Sequence, residues 1–197
     1  MVKKVPPGKK TVMKVGPFWL WFLPVLSLLI KLIAMANTPT YMWAGSDAEH
    51  YLDGTNELLK SGLLSTSEKL QYFPAGYSII IWLFALISLK NVLILLGIFQ
   101  SIIYAFASWF FLNKLNLTRF SKLVPWLAML ITFNPTLTLS SLVIGYESLV
   151  ASLLMISLAL LLNNQKEKIL TKIILFSLIS GMAAFMQPRY IATSIIF

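Results

Sequence analysis

The chain has 197 residues, 58% of them hydrophobic and 12% charged, with mean hydropathy +0.80, no cysteine and a net charge of +9. A water-soluble domain is about one quarter charged, so a soluble fold is excluded. The apolar content excludes a disordered chain, and the missing cysteines exclude a disulfide scaffold or a cysteine–zinc centre. Either redox compartment suits a chain without thiols. What remains is an all-α, polytopic transmembrane helical bundle.

Residues 1–17 form a basic tail and 18–197 a transmembrane domain. Lys3, Lys4, Lys9, Lys10 and Lys14 precede the first apolar run, 18–36, so the positive-inside rule places the N-terminus in the cytoplasm. Ala34-Met35-Ala36 resembles a signal-peptide cleavage site. The length of the run, the interrupting Lys31 and the later spans favour an uncleaved anchor. Lys31 is expected to snorkel toward the outer interface. The tail meets anionic membrane lipid; nucleic acid is not expected, because no aromatic-basic platform accompanies it.

Further apolar runs cover 74–89, 91–112, 123–144, 146–162 and 169–186, and another starts at Tyr190 and stops at Phe197. That last run is too short to cross, so the chain is expected to be the N-terminal part of a longer protein. Basic clusters at Lys114, Arg119, Lys122 and at Lys166, Lys168, Lys172 fall inside if 74–89 is juxtamembrane or re-entrant. The first outer loop then runs from 37 to 90 and carries amphipathic juxtamembrane helices. This topology, at the plasma membrane, brings Asp47, Glu147 and Arg189 to one side. It also puts the acceptor sequence Asn116-Leu117-Thr118 on the cytoplasmic side, where it is not glycosylated. Pro125 and Pro135 within one span predict a kink or freed carbonyls. Gly97, Ala105, Ala107 and Ser108 permit close helix approach. No internal repeat stands out.

In the loop, Ser46-Asp47-Ala48-Glu49 reads as a capping box and Gly62 as a helix stop. Ala48, Leu52, Thr55 and Leu59 share one side of that helix, flanked by Tyr51 and Leu58, and Glu49, Asp53, Asn56 and Lys60 the other. Asp47 stands on the border, with His50, Tyr51 and Gly54 above it at spacings of three, four and seven. It either favours the helix dipole or serves chemistry. His50 is the single histidine, which excludes a multi-histidine metal site.

Asp47-Ala48-Glu49-His50-Tyr51, soon after an N-terminal span, resembles the D-x-x-x-Y first-loop motif of the GT-C glycosyltransferase superfamily, within it the protein O-mannosyltransferase and aminoarabinose-transferase branch. Tyr72-Phe73-Pro74-Ala75-Gly76-Tyr77 is similar to the aromatic-proline segment closing the first outer loop. Gly145-Tyr146-Glu147-Ser148-Leu149 resembles the second outer-loop acidic motif, and 181–189 the small-residue span that ends in a basic residue. Ala48 stands where many relatives carry a second acid.

The resemblance implies inverting transfer of a sugar from a polyprenyl-phosphate-linked donor to a protein, lipid or polysaccharide acceptor on the outer face. Asp47 would be the general base, since an ordinary aspartate is ionised near neutrality. Arg189 would stabilise the departing phosphate with its fork of donors. Glu147 would orient the acceptor, hold the donor sugar or pair with Arg189. Tyr51, Tyr72 and His50 complete the expected substrate-binding set, with the two tyrosines stacking on sugar, lining a lipid groove or serving as aromatic-belt residues. The resemblance leaves a divalent metal open, since some relatives use one, but two separated acids do not establish it, and no other cofactor is implied. Two other readings remain: a non-catalytic scaffold or partial transferase subunit, and a small transporter using Lys31 or Glu147.

Overall fold

The computed structural model describes residues 16–38, 42–45, 47–72, 74–162 and 169–190. The basic tail up to Val15, the Ser46 end of the capping box, Phe73, Lys166, Lys168 and the run beyond Tyr190 lie outside the described residues. Helix dominates, as an apolar chain that must satisfy its own backbone requires. In chain order the helices are α1 Pro17–Ala36, α2 Ala48–Ser61, α3 Glu68–Tyr72, α4 Ala75–Ile87, α5 Val92–Asn116, α6 Val124–Phe133, α7 Pro135–Leu139, α8 Glu147–Leu161 and α9 Ile169–Met186. Three of them, α1, α5 and α9, are long and apolar enough to cross a membrane. At 1.5 Å per residue, the 13 residues of α4 rise only about 20 Å, short of a hydrocarbon core of about 30 Å.

The apolar run 123–144 is not one helix. Pro125 starts α6, within the first helical turn where its missing N–H costs nothing, and introduces no kink. Pro135 does break the run: α6 stops at Phe133, and Pro135 cannot donate to the carbonyl of Ile131. That carbonyl takes two replacement donors, the Tyr104 hydroxyl at 3.0 Å and the Thr138 hydroxyl at 3.1 Å. A discontinuous helix is thus tolerated because neighbouring side chains complete its backbone bonding.

Helix α5 is the central post. It packs on α1, α4, α6 and α8, while α9 leans on α8 and α4. Gly97 lets α1 approach, since a side chain there would meet Met35 at 2.8 Å. Met35 and Gly97 place the end of α1 beside the start of α5. At the opposite end Leu20, Leu112, Leu115 and Val124 share one apolar cluster. The loop with Lys114, Arg119 and Lys122 therefore sits at the same end as the start of α1. Asn116, in the glycosylation-like triplet, is 5% exposed.

Lys31 differs from expectation. It is fully buried, with its ammonium 3.5 Å from the centroid of the Tyr104 ring. Helical Cα–Cβ bonds tilt toward the helix N-terminus, so the Lys31 stem points away from the nearby Ala36 end and into the bundle. No hydrogen-bond partner meets its Nζ among the described residues.

A buried charge at a helix centre costs about 2.5–3.5 kcal/mol, against about 2 returned by a desolvated cation–π contact. Lys31→Met should accordingly stabilise the protein in detergent by on the order of 1 kcal/mol on the same balance, read as a slightly raised thermal midpoint. A lowered midpoint would show that the amine has a structural partner.

Candidate functional site

Although the chain is helical, two very short strands decide where its acids lie. β1, Trp43–Ala44, pairs in parallel with β2, Val143–Ile144, in the register Trp43↔Val143 and Ala44↔Ile144. Each strand runs into a glycine, one further residue and an acid: Gly45-Ser46-Asp47 after the first, Gly145-Tyr146-Glu147 after the second. Asp47 immediately precedes α2, and Glu147 is the first residue of α8. Both acids therefore follow the paired strands by three residues, Asp47 as the residue before α2 and Glu147 as the first residue of α8, each near the positive end of a helix dipole.

The segment before Glu147 is held from several directions. The Gln100 side-chain amide of α5 reaches the carbonyls of Ser141 and Val143, each at 3.4 Å. The backbone N–H of Gly145 donates to the Tyr77 hydroxyl of α4 at 3.0 Å. The Gln187 amide, just beyond α9, donates to the Tyr146 hydroxyl at 2.8 Å. The Glu147 carboxylate folds back over Gly145, where any β-carbon would collide with it. Gly76 seats α4 on α9 just as closely, for a β-carbon there would lie 2.5 Å from the Phe185 carbonyl oxygen.

Helix α2 docks on this platform through a face turned from Leu59 toward the expected flank of Tyr51 and Leu58. Ala48, Tyr51, Gly54, Thr55 and Leu58 are buried, whereas Leu59 is exposed. The rotation follows from the partner. Gly54 meets Ser78, the Ser78 hydroxyl donates to the Tyr51 carbonyl at 3.0 Å, and the Thr55 hydroxyl reaches the carbonyls of Tyr51 and Ser78. Asp47 then caps the top of the buried stripe 51, 54, 58 and does not stand at its border. Its side chain makes no capping hydrogen bond to its own helix, and the residue is partly exposed. Gly62 ends α2 at φ +73°, as its position after the last polar turn predicts.

Tyr51 offers no ring to a sugar. It is 1% exposed and packs edge-on against Tyr77 at 4.9 Å and Tyr146 at 6.2 Å between ring centroids. Burial, followed by the nearby Asp47, Tyr146 and Glu147, pushes its phenol above the ordinary range, so it stays neutral between two acids. His50 is exposed on α2. The side chain of Tyr72, the last residue of α3, lies outside what the structure describes. Glu147 is exposed, and Arg189 is exposed in a 3-10 turn, Pro188–Tyr190, two residues after Gln187. Among the described residues Arg189 forms no ion pair with Glu147; the pairs present are Lys69–Asp53 at 2.8 Å and Lys60–Glu57 at 3.7 Å. Lys69 holds the Asp53 carboxyl below its usual range, which marks Asp53 as part of the exposed ionic surface of α2 and α3. No group of three or more potential metal ligands occurs among the described residues.

Sequence reasoning does not single out Tyr77, Gln100 and Gln187, which shape the platform without being charged. Their one mark in the sequence is that each is an uncharged polar side chain within or at the end of an apolar run. Compared with protein-family models, with curated proteins and with solved structures, the chain matches none.

Gly76→Ala should force α4 away from α9 and destabilise the protein by about 1–3 kcal/mol, the usual cost of overpacking. Gly181→Ala, on the same α9 but facing open space, should leave the midpoint level or higher because alanine favours helix. Equal loss in both variants would contradict the close α4–α9 seat.

Proposed function

We propose that this chain is an integral-membrane glycosyltransferase of the GT-C type, or the N-terminal part of one. The observation that carries this reading is that the paired strands lead to Asp47 and Glu147 at two helix starts, with Arg189 at the same end of the bundle. The opposite end holds Lys114, Arg119 and Lys122, and the positive-inside rule makes that end cytoplasmic. The acidic end then faces outward at the plasma membrane, α4 dips without crossing, and α2 lies along the interface.

On this reading a polyprenyl-phosphate-linked sugar reaches the rim from the lipid. The acceptor oxygen, belonging to a protein, lipid or polysaccharide, bonds to the anomeric carbon from the face opposite the phosphate. The bond from that carbon to the phosphate oxygen breaks, its electron pair leaves on the polyprenyl phosphate, and the configuration inverts. Asp47 takes the acceptor proton as the new bond forms. Its freedom from capping leaves the carboxylate available for that task. Arg189 meets the negative charge that develops on the leaving phosphate. Glu147 orients sugar or acceptor hydroxyls from the neighbouring helix start. A transporter is the second reading, favoured by one observation: Lys31 is buried inside the bundle, where intramembrane charges mark substrate paths.

Asp47→Asn should abolish sugar transfer in the intact protein while expression and insertion stay normal; undiminished turnover would remove the assigned base. Because the chain has no native cysteine, single cysteines at 47, 147 and 119 report topology cleanly. Impermeant maleimide should label 47 and 147 from outside and leave 119 protected. Labelling of 47 and 147 from opposite sides would leave no shared site.

A further inference from the structure

We infer that Tyr77 is the positioning residue that fixes the separation between Asp47 and Glu147, an assignment that rests on the transferase reading for its catalytic consequence but not for its geometry. Tyr77 is fully buried at the start of α4, and its two ends touch the supports of different acids. Its hydroxyl accepts the Gly145 N–H at 3.0 Å, two residues before Glu147. Its ring packs edge-on against Tyr51 at 4.9 Å, one helical turn after Asp47. Gln100 of α5 holds the same segment separately, through the Ser141 and Val143 carbonyls.

The strand pairing sets the register of the two acid-bearing segments, but it ends at Ala44 and Ile144. Beyond it each acid could drift with its own helix. Tyr77 is the side chain that spans the gap past that point. Tyr146 also packs on Tyr51, at 6.2 Å, yet it belongs to the Glu147 segment itself and does not tie that segment to α4. The neighbouring α4 contact through Ser78 secures Tyr51 by its carbonyl, which fixes α2 to α4 and leaves the Tyr77 hydroxyl as the link from α4 to the Glu147 segment.

Tyr77→Phe keeps the ring and its packing and removes only the acceptor oxygen. Spin labels at 47 and 147 in the otherwise cysteine-free full chain should give one narrow distance distribution when Tyr77 is present. The Tyr77→Phe substitution should broaden or shift that distribution. Tyr104→Phe is the control: it deletes another buried hydroxyl, bonded to Ile131 instead, and should leave the 47–147 distance unchanged. Gln100→Leu, which withdraws the separate support of the Ser141 and Val143 carbonyls, should broaden it less than Tyr77→Phe and serves if the latter folds poorly. With the native acids restored, and with undecaprenyl-phosphate-linked radiolabelled mannose as donor, Tyr77→Phe should lower kcat about ten- to a hundredfold with little change in donor KM, as small misplacements of reacting groups do. An unchanged distance distribution overturns the assignment whatever the turnover. A broadened distribution in a protein whose wild type transfers no sugar supports the positioning role and counts against the transferase reading.

Discussion

Everything at the acidic end of this molecule depends on four residues pairing in parallel. Two segments one hundred residues apart in the chain lie side by side at Trp43↔Val143 and Ala44↔Ile144. Parallel pairing demands a long crossover, and here the crossover is about half of the chain, α2 through α7. So short a ladder cannot hold itself together, because isolated strand pairs are marginal even when much longer. It persists because Gln100, Tyr77 and Gln187 each bond to the second segment from a different helix or its end. In return the ladder sets both acids three residues beyond the paired strands, each at the start of a helix.

The breaks in the helical bundle have the same logic. Backbone polar groups left unpaired in an apolar interior cost several kcal/mol each, so an interruption survives only where a donor stands ready. At Pro135 the freed Ile131 carbonyl receives Tyr104 and Thr138, and Thr138 also reaches the Thr132 carbonyl at 2.7 Å. The chain can then turn out of α6 and approach the rim in extended form as β2. Without the proline, a continuous helix would carry Val143 and Ile144 past their strand partners. The break that disrupts one apparent span is therefore what delivers Glu147.

Much of the fold is legible in the amino-acid pattern. The ends of α1, α8 and α9 fall within a residue of the apolar runs, since apolar length is the strongest signal a membrane-type helix provides. Asp47, Glu147 and Arg189 are visible as ionisable residues beside apolar runs, and the structure places them at one end of the bundle. Other features resist for physical reasons. The strands of two residues have no periodicity to detect. The face of α2 is chosen by Gly54 and Ser78 fitting together, which hydropathy does not encode. Lys31 departs from expectation because the tilt of helical side chains, and not the distance to the nearest end, sets where a long stem points. Tyr51 has the sequence position of a ligand residue and is instead a buried support, a distinction that only its neighbours Tyr77 and Tyr146 reveal.

The central claim is the register that aligns the two acid-bearing segments, and cysteine cross-linking tests it most directly. The protein supplies a background free of thiols. Trp43→Cys combined with Val143→Cys should form a disulfide readily under mild oxidation, because paired strand positions bring α-carbons within the range of about 4.4–6.8 Å that a disulfide spans. Trp43→Cys combined with Leu123→Cys, at the other end of the bundle, should not. Failure of the first pair to cross-link, or equal cross-linking of both, would contradict the alignment and with it the shared site.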